Sequence, residues 1–145
     1  MVFGFILSIL ILIAVIDART YRIPDAMVSY IVLVTACGDI AEWDQALIAY
    51  RLLSASLTLS LFWTVYVTVG HLGFGDVKLV TALAYAFGFA YFLAAFLVSA
   101  IACLFAYYIN VRRRIWAAKT RIPFAPFMLT GCAAVSIARG VMSYE

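Results

Sequence analysis

Two aspartates stand at the ends of apolar segments of this sequence, where an ionisable side chain is costly and by default suggests a function. Asp17 ends the apolar run that opens the chain, and Asp76 ends the turn after a later run. Two carboxylates that share a site repel each other, which raises one pKa and keeps a single proton between them. The ionised carboxylate can then take a proton from water while the protonated one polarises a carbonyl group. This pair predicts peptide hydrolysis that needs neither a metal nor a covalent nucleophile.

The residues beside each aspartate add to this prediction. Gly73 and Gly75 precede Asp76, and glycines suit a mobile turn whose backbone passes close to a substrate strand. Taken alone, either aspartate could simply mark a helix end and pair with a nearby cation. The cations in question are Arg19, Arg22 and Lys78. The two aspartates together, in these contexts, favour catalysis.

The composition indicates that lipid surrounds the chain. Of its 145 residues, 68% are hydrophobic and 12% are charged, whereas soluble domains are about half apolar and about a quarter charged. A domain of this size buries only part of its surface, so water could not solvate so much apolar area. We therefore expect one integral membrane domain over residues 1–145, since no linker or repeat divides it. The net charge of +3 does not indicate nucleic acid, because the basic residues lie in short gaps between apolar runs.

About six transmembrane helices are predicted from these apolar runs. The first sixteen residues lack a basic start and a small-residue cleavage site, so we interpret them as an uncleaved span rather than a signal peptide. One helix over residues 77–110 would measure about 51 Å, far more than a bilayer crossing, which predicts a break near Gly88. The expected spans are approximately residues 1–16, 26–40, 46–70, 77–88, 89–110 and 122–138.

The charges predict how these spans are oriented. Asp39, Glu42 and Asp44 fall on one side, and eight of the ten basic residues fall on the other, which is cytoplasmic by the positive-inside rule. We expect a multi-pass protein of the cytoplasmic (inner) membrane, with Asp17 and Asp76 facing the cytoplasm and both termini outside. The eight basic residues are Arg19, Arg22, Lys78, Arg112, Arg113, Arg114, Lys119 and Arg121.

Several other residues have an ordinary explanation. The chain has no paired CxxC motif, which indicates neither a zinc site nor a disulfide framework. We expect His71 to be a solvated loop residue and Arg51 to extend its guanidinium from the third span toward the outer boundary. The Arg112–Arg114 cluster is expected to meet anionic headgroups, with docking of substrate or of an assembly partner as the alternative. The single cysteines, expected to be buried thiols, are Cys37, Cys103 and Cys132.

Three segments resemble the signatures of the prepilin peptidase family. The Gly73–Asp76 turn with Lys78 is similar to its GxGDxK motif, and Asp17 before the arginines and Ile23-Pro24 resembles its first catalytic segment. Residues 122–127 resemble its C-terminal Ile-Pro-Phe-Gly-Pro-Phe segment. The three segments keep the family's order over residues 17–127.

Two residues depart from the family pattern. Asp25 stands where the family often has Asn, and it is expected to pair with Arg22 or to compete for the shared proton. Ala125 stands where the family usually has Gly, which should be tolerated unless the backbone needs a positive φ. The proline-rich segment could also be no more than a helix start.

The resemblance implies a GxGD-type intramembrane aspartyl protease with Asp17 and Asp76 as its catalytic pair. Its substrate would be a type IV prepilin or pseudopilin precursor, cut on the cytoplasmic side between a short basic leader and the hydrophobic helix. Expected partners are this substrate, membrane lipid and the machinery that assembles a pilus or secretion system; no metal or cofactor is expected. Supporting or substrate-binding roles are implied for Gly73, Gly75, Lys78, Arg19, Arg22, Pro24, Pro123 and Pro126.

The resemblance also suggests a subtype. Long family members carry an N-terminal region with paired cysteines that is associated with N-methylation of the new pilin terminus. This sequence has no such region and is similar to the short, peptidase-only forms that serve Tad/Flp-type pili (the TadV/CpaA-like enzymes), a plan shared with archaeal preflagellin peptidases. N-methylation is therefore not expected.

Two hypotheses of other classes remain open. In a small ion transporter, Asp17 and Asp76 would form a cation or proton site, but neither inverted repeats nor midplane polar residues are found. In a non-enzymatic subunit of pilus assembly, the same acids would be structural, although a scaffold has no need of two acids at the membrane edge.

Overall fold

The computed structural model describes residues 2–69, 73–112 and 122–142. Every element in these ranges is helical and none of their residues forms a strand, which confirms the all-α prediction. The interpretations given for His71 and for the basic residues from 113 to 121 lie outside the described residues. In chain order the helices are α1 (Val2–Thr20), α2 (Asp25–Glu42), α3 (Gln45–Val69), α4 (Phe74–Phe87), α5 (Phe89–Arg112) and α6 (Ala125–Met142).

The predicted break near Gly88 is confirmed. Gly88 separates α4 from α5 with φ 80° and ψ 160°, a backbone conformation that favours glycine. The first N–H groups of α5 have no acceptor within their own helix, and two side chains of α3 accept hydrogen bonds from them. The N–H of Phe89 donates to Oγ of Ser54 at 3.1 Å, and that of Ala90 donates to the hydroxyl of Tyr50 at 3.5 Å. The turn between the two helices is thus fixed to α3.

Three acidic residues lie deeper in helices than the sequence suggested. Asp17 is followed by three more residues of α1, which ends where Tyr21 adopts φ 52° and its N–H donates to the Asp17 carbonyl oxygen. Asp76 belongs to the first turn of α4 rather than to the preceding loop. Asp39, expected in the second loop, lies in α2 and is 2% exposed.

α4 is the most enclosed helix of the fold. It contacts α2, α3 and α5, while α6 packs against α1 and α5. Half of the fourteen residues of α4 are buried, and the helix begins with the Asp76 turn. This turn is therefore held by a helix surrounded by others. The buried residues of α4 are Val77, Leu79, Val80, Ala82, Leu83, Ala84 and Ala86.

The exterior of the helices is strongly apolar. Leu57 and Leu61 of α3 are 50% and 57% exposed, and Ile101 and Leu104 of α5 are both 68% exposed. Soluble proteins rarely expose continuous apolar surfaces of this kind. Among the described residues two helices, Gln45–Val69 and Phe89–Asn110, are long and apolar enough to cross a membrane. At about 21 Å, the fourteen residues of α4 are short for a full crossing.

A buried polar cluster ties α2, α3 and α4 together at the end of the fold remote from Asp17. The guanidinium of Arg51 forms an ion pair with Asp39, whose Oδ2 also accepts a 2.9 Å hydrogen bond from the hydroxyl of Tyr85. Buried charges need such partners, because an isolated one would lose its hydration. The Arg51 guanidinium is thus held by Asp39, three residues before the end of α2, and its extension toward the membrane boundary stays a prediction.

Candidate active site

Asp17 is a buried carboxylate near the end of α1. It is 4% exposed, and its Oδ2 accepts a 2.9 Å hydrogen bond from the backbone N–H of Ala125, the first residue of α6. The first N–H groups of a helix lack partners within it, and together with the helix dipole they favour a negative charge. The start of α6 therefore holds the Asp17 carboxyl group in place through a main-chain hydrogen bond.

In the sequence, Asp76 lies between the two helices that are long enough to cross a membrane, and its side chain is partly buried. Burial and, next in size, the negative charge of Asp17 raise the pKa of Asp76 to about 6, while a hydrogen bond with the Gly73 backbone acts in the opposite direction. An ordinary aspartic acid loses its proton near pH 4, so Asp76 keeps its proton to higher pH. The two carboxyl groups therefore interact, because the negative charge of Asp17 is close enough to raise the pKa of Asp76.

Gly73 leaves space for the Asp76 carboxylate. Gly73 caps α4 in an extended conformation, and its carbonyl oxygen accepts the Asp76 N–H at 3.0 Å. Because the Asp76 side chain folds back over this cap, a Cβ on Gly73 would come within 3.0 Å of Asp76 Oδ2. Any side chain at residue 73 would therefore press on this carboxylate.

Gly75 allows the Asp76 turn to contact the segment after α1. A Cβ on Gly75 would lie 3.3 Å from Cβ of Ile23, closer than ordinary van der Waals contact. Ile23 is partly buried against the apolar core. The contact joins two of the three segments that carry the family resemblance, and the Ala125–Asp17 hydrogen bond joins the third. Segments centred on residues 17–24, 73–78 and 122–127 thus meet at one end of the fold.

Lys78 forms an ion pair across this end of the fold. Its Nζ lies 2.8 Å from Oδ2 of Asp25, the first residue of α2, and 4.7 Å from the centre of the Phe74 ring. Asp25 therefore pairs with Lys78, whereas one of the sequence hypotheses had paired it with Arg22. Because Asp25 is exposed, it is a poor candidate to hold a shared proton. The ion pair links the start of α2 to the first turn of α4.

The other predicted supporting residues are of two kinds. Pro24 caps α2 with φ −69° and ψ 122°, while Pro123 precedes α6 and Pro126 is its second residue, positions that proline accepts. These prolines fix where α2 and α6 begin. Arg19 and Arg22 are exposed beyond Asp17, and neither pairs with a carboxylate within the described residues.

The candidate site contains the groups for water activation by two carboxylic acids. Asp17 supplies a carboxylate supported by an N–H donor, and Asp76 supplies a carboxyl group whose pKa is raised. No group of three or more His, Cys, Asp or Glu side chains suited to a metal ion occurs among residues 2–69, 73–112 and 122–142. The chemistry that this arrangement supports is acid–base catalysis by the aspartates themselves.

Comparison with known families decides what kind of protein this is. A model of the type IV leader peptidase family matches residues 4–108, which include Asp17, Asp76 and Lys78. The chain belongs to the type IV leader peptidase family. Comparison with curated proteins and with solved structures gives no match. Family membership supports leader peptidase activity in general and a prepilin substrate, and together with the two apolar helices it indicates a membrane protein.

Two contacts at this site were not predicted from the sequence. The donor to Asp17 is the main-chain N–H of Ala125, and the residue type at this position does not indicate the contact. The Asp25–Lys78 pair joins residues 53 positions apart, which the sequence alone does not bring together. For the first contact, the available signal was the resemblance of residues 122–127 to a family motif, beyond the end of the family match.

Proposed function

We propose that this family member is an aspartyl endopeptidase that removes the basic leader from type IV prepilin or pseudopilin precursors. Its catalytic pair is Asp17 and Asp76. The observation that carries the proposal is their electrostatic interaction, in which Asp17 helps to raise the pKa of Asp76 to about 6. A hydrolase that uses two carboxyl groups needs one of them protonated and the other ionised.

The surroundings of the two carboxyl groups support different roles. Asp17, stabilised by the N-terminus of α6, takes a proton from water as the water oxygen attacks the scissile carbonyl carbon. Asp76 donates its proton to the carbonyl oxygen, which forms a gem-diol. As this intermediate collapses, the C–N bond breaks, Asp17 gives its proton to the leaving amine, and a proton returns to Asp76. The products are a carboxylic acid and an amine, and the site recovers its single shared proton.

The location that we propose is the cytoplasmic face of the cytoplasmic membrane. In this arrangement the chain crosses the membrane six times, Asp76 lies at the cytoplasmic edge just before the short fourth span, and both termini lie outside. The charge pattern of the sequence supports it, since the predicted spans place eight of the ten basic residues on the side of Asp17 and Asp76. An uncleaved pilin would present its basic leader there, with its hydrophobic helix still held in the bilayer.

The subtype and the partners belong to the same proposal. We propose a Flp-like pilin as substrate and a pilus or secretion assembly as its setting, as the resemblance to Tad/Flp-type peptidases implies. Single-domain organisation over residues 1–145 and GxGD-type architecture are also part of it. The meeting of the three motif segments at one end of the fold supports this choice over a transporter, in which polar residues would line a path across the helices.

Co-expression with a pilin precursor tests the proposal. The wild-type chain should convert the precursor to a form shorter by its leader, seen as a mobility shift and confirmed by the mass of the new N-terminus. Asp17→Asn and Asp76→Asn should each lower cleavage by roughly a thousandfold while leaving the protein in the membrane, because the pair works as a unit. Substantial cleavage by either variant would refute the assignment.

Two other acids serve as matched controls for this test. Asp25→Asn should retain most activity, because an amide oxygen can still accept a hydrogen bond from Lys78. Asp44→Asn lies at the other end of the fold, where the carboxylate accepts the N–H groups of Ala46 and Leu47, a role that Asn also fills. If Asp25→Asn were as inactive as the two central variants, the choice of Asp17 would be wrong.

A further inference from the structure

A cavity of about 380 Å³ lies at the end of the fold remote from the candidate active site. Its lining comes from five helices, with Ile6 of α1, Arg51 of α3, Ala86 of α4, Tyr91 of α5 and Arg139 of α6 among its residues. Ile6 is eleven residues before Asp17 on α1, which corresponds to about 16 Å along the helix. The cavity is therefore separate from the aspartate pair.

The two basic residues that are not expected on the side of Asp17 both line this cavity. From the sequence, eight of the ten Lys and Arg residues are expected on the side of Asp17, and the remaining two are Arg51 and Arg139. These two residues lie 88 positions apart in the sequence. Arg51 is near the start of α3 and Arg139 is near the end of α6. Two guanidinium groups on one cavity at the less basic end suggest a common anionic ligand.

The charge balance of the cavity corresponds to a monoanion. Arg51 already pairs with Asp39, so its charge is compensated. The guanidinium of Arg139 stacks over the Tyr91 ring at 5.2 Å, and within the described ranges it has no carboxylate partner. No carboxylate is found among the described lining residues. Among the residues that the structure describes, one positive charge at the cavity is left without a carboxylate, and a phosphodiester with a single negative charge would balance it.

Neutral groups of the cavity also suit a phosphate ester. The hydroxyl of Tyr91 and Oγ of Ser136 lie 2.6 Å apart, and both residues line the cavity. Each hydroxyl also donates to the carbonyl oxygen of Cys132, at 2.7 Å and 2.6 Å, so the pair forms a polar, uncharged part of the wall. Tyr91 belongs to the first turn of α5, where the positive end of the helix dipole favours an anion. Ile6, Ala86 and Phe87 supply an apolar wall that the glycerol and acyl portions of a lipid could contact.

We propose that this cavity binds a phosphate-ester anion, with the headgroup of an anionic phospholipid as its source. Arg139 is the principal contact, Arg51 lines the same cavity, and the Tyr91–Ser136 pair forms a polar, uncharged part of its wall. A lipid fits better than a soluble phosphomonoester, because the latter carries close to two negative charges against one uncompensated cation. The apolar exterior of the chain keeps lipid next to the opening.

Native mass spectrometry of the full-length protein tests the proposal. The protein is released from nanodiscs of phosphatidylglycerol or of phosphatidylcholine, and retained lipid is counted; separate samples receive glycerol 3-phosphate. Wild type should retain one phosphatidylglycerol in preference to phosphatidylcholine. Arg139→Gln should reduce this retention roughly tenfold, as expected for the loss of a charge-assisted contact.

Asp44→Asn is the control, because it changes the charge by one unit at an exposed residue of the same end of the fold that does not line the cavity. This control should change retention less than twofold, and both variants should keep the wild-type melting temperature. Arg139-dependent binding of glycerol 3-phosphate would support the anion site and assign it to a soluble source. Equal lipid retention by wild type and Arg139→Gln, or binding of neither probe, would overturn the proposal.

Discussion

The backbone N–H of Ala125 donates a 2.9 Å hydrogen bond to the carboxylate of Asp17, although 108 residues separate them. The interaction needs the main chain of residue 125 and not its side chain. Ala125 has no positive φ, so this backbone does not require the glycine that the related motif usually has. The start of α6 is therefore placed to support the charge of one candidate catalytic acid.

Ala125→Pro should remove this donor while leaving the helix start intact. Proline is accepted at the first position of a helix, where the N–H has no partner within the helix. We expect prepilin cleavage to fall roughly tenfold or more, the usual effect of losing a hydrogen bond to a charged group. Ala125→Val, which adds the same number of carbon atoms but keeps the N–H, is the matched control for crowding at this buried residue. Equal activity of the two variants would mean that the N–H is dispensable.

The raised pKa of Asp76 predicts how activity depends on pH. The shared proton leaves as pH rises through the upper apparent pKa of the pair, so kcat/KM should decline above about pH 6. Initial rates of leader removal between pH 5 and 8.5, with detergent and ionic strength held constant, measure this limb. An activity that stays constant to pH 8.5 would show that no proton with this pKa is required.

The same shift predicts the direction of a stability change. The folded pKa of Asp76 exceeds the unfolded value, so ionising Asp76 costs more in the folded protein, and stability should decrease as pH rises from about 4 to about 6. Asp76→Asn abolishes this contribution. The melting temperature of wild type should therefore fall more than that of Asp76→Asn between pH 4.5 and 7, measured in one detergent. Parallel curves for the two proteins would contradict the shift.

Gly73→Ala should impair catalysis by displacing a carboxyl group. Its Cβ would lie 3.0 Å from Oδ2 of Asp76, so the side chain or the turn must move. Because small errors in the position of a catalytic group are costly, we expect kcat to fall roughly tenfold or more with little change in melting temperature. Gly4→Ala makes the same replacement in α1 with no atom within 4 Å, and it should keep wild-type activity. Full activity of Gly73→Ala would indicate that the carboxyl group is not confined as described.

Cysteine labelling should reveal the topology. After the three native cysteines are replaced, single cysteines at Glu42 and Glu145 should react with an impermeant maleimide on intact cells. Cysteines at Thr20 and Trp116 should react only after permeabilisation. Labelling of position 116 from outside would merge α4 and α5 into one crossing. Labelling of position 20 from outside would move Asp17 away from a cytoplasmic substrate.

The helical plan followed from the sequence because lipid imposes simple limits on length. The break at Gly88 was predicted from the excessive length of one helix and the placement of basic residues, and the structure confirms it. The position of Asp39 was wrong, since proximity to acidic neighbours suggested a loop, whereas its burial depends on Arg51 and Tyr85 of other helices. Long-range polar partners have no local signature in the chain.

The candidate site shows the same division. Asp17 and Asp76 were identified from residue type and context, and the structure brings them within electrostatic reach of each other. What the sequence did not provide is the difference between them. Asp17 accepts the N–H of Ala125 from another helix, whereas Asp76 lies in the Gly73 turn beside the charge of Asp17, and these contacts depend on how the helices pack.

The length of α4 has a consequence for the depth of Asp76. One end of this helix is anchored by the hydrogen bond from Tyr85 to Asp39 and by the break at Gly88. Tyr85 and Asp76 are nine residues apart, so the helix sets a distance of about 14 Å along its axis between Tyr85 and Asp76. Adding or removing one residue would shift Asp76 by about 1.5 Å and turn it by about 100°, away from Asp17. The number of residues in α4 thus determines whether the two acids can face each other.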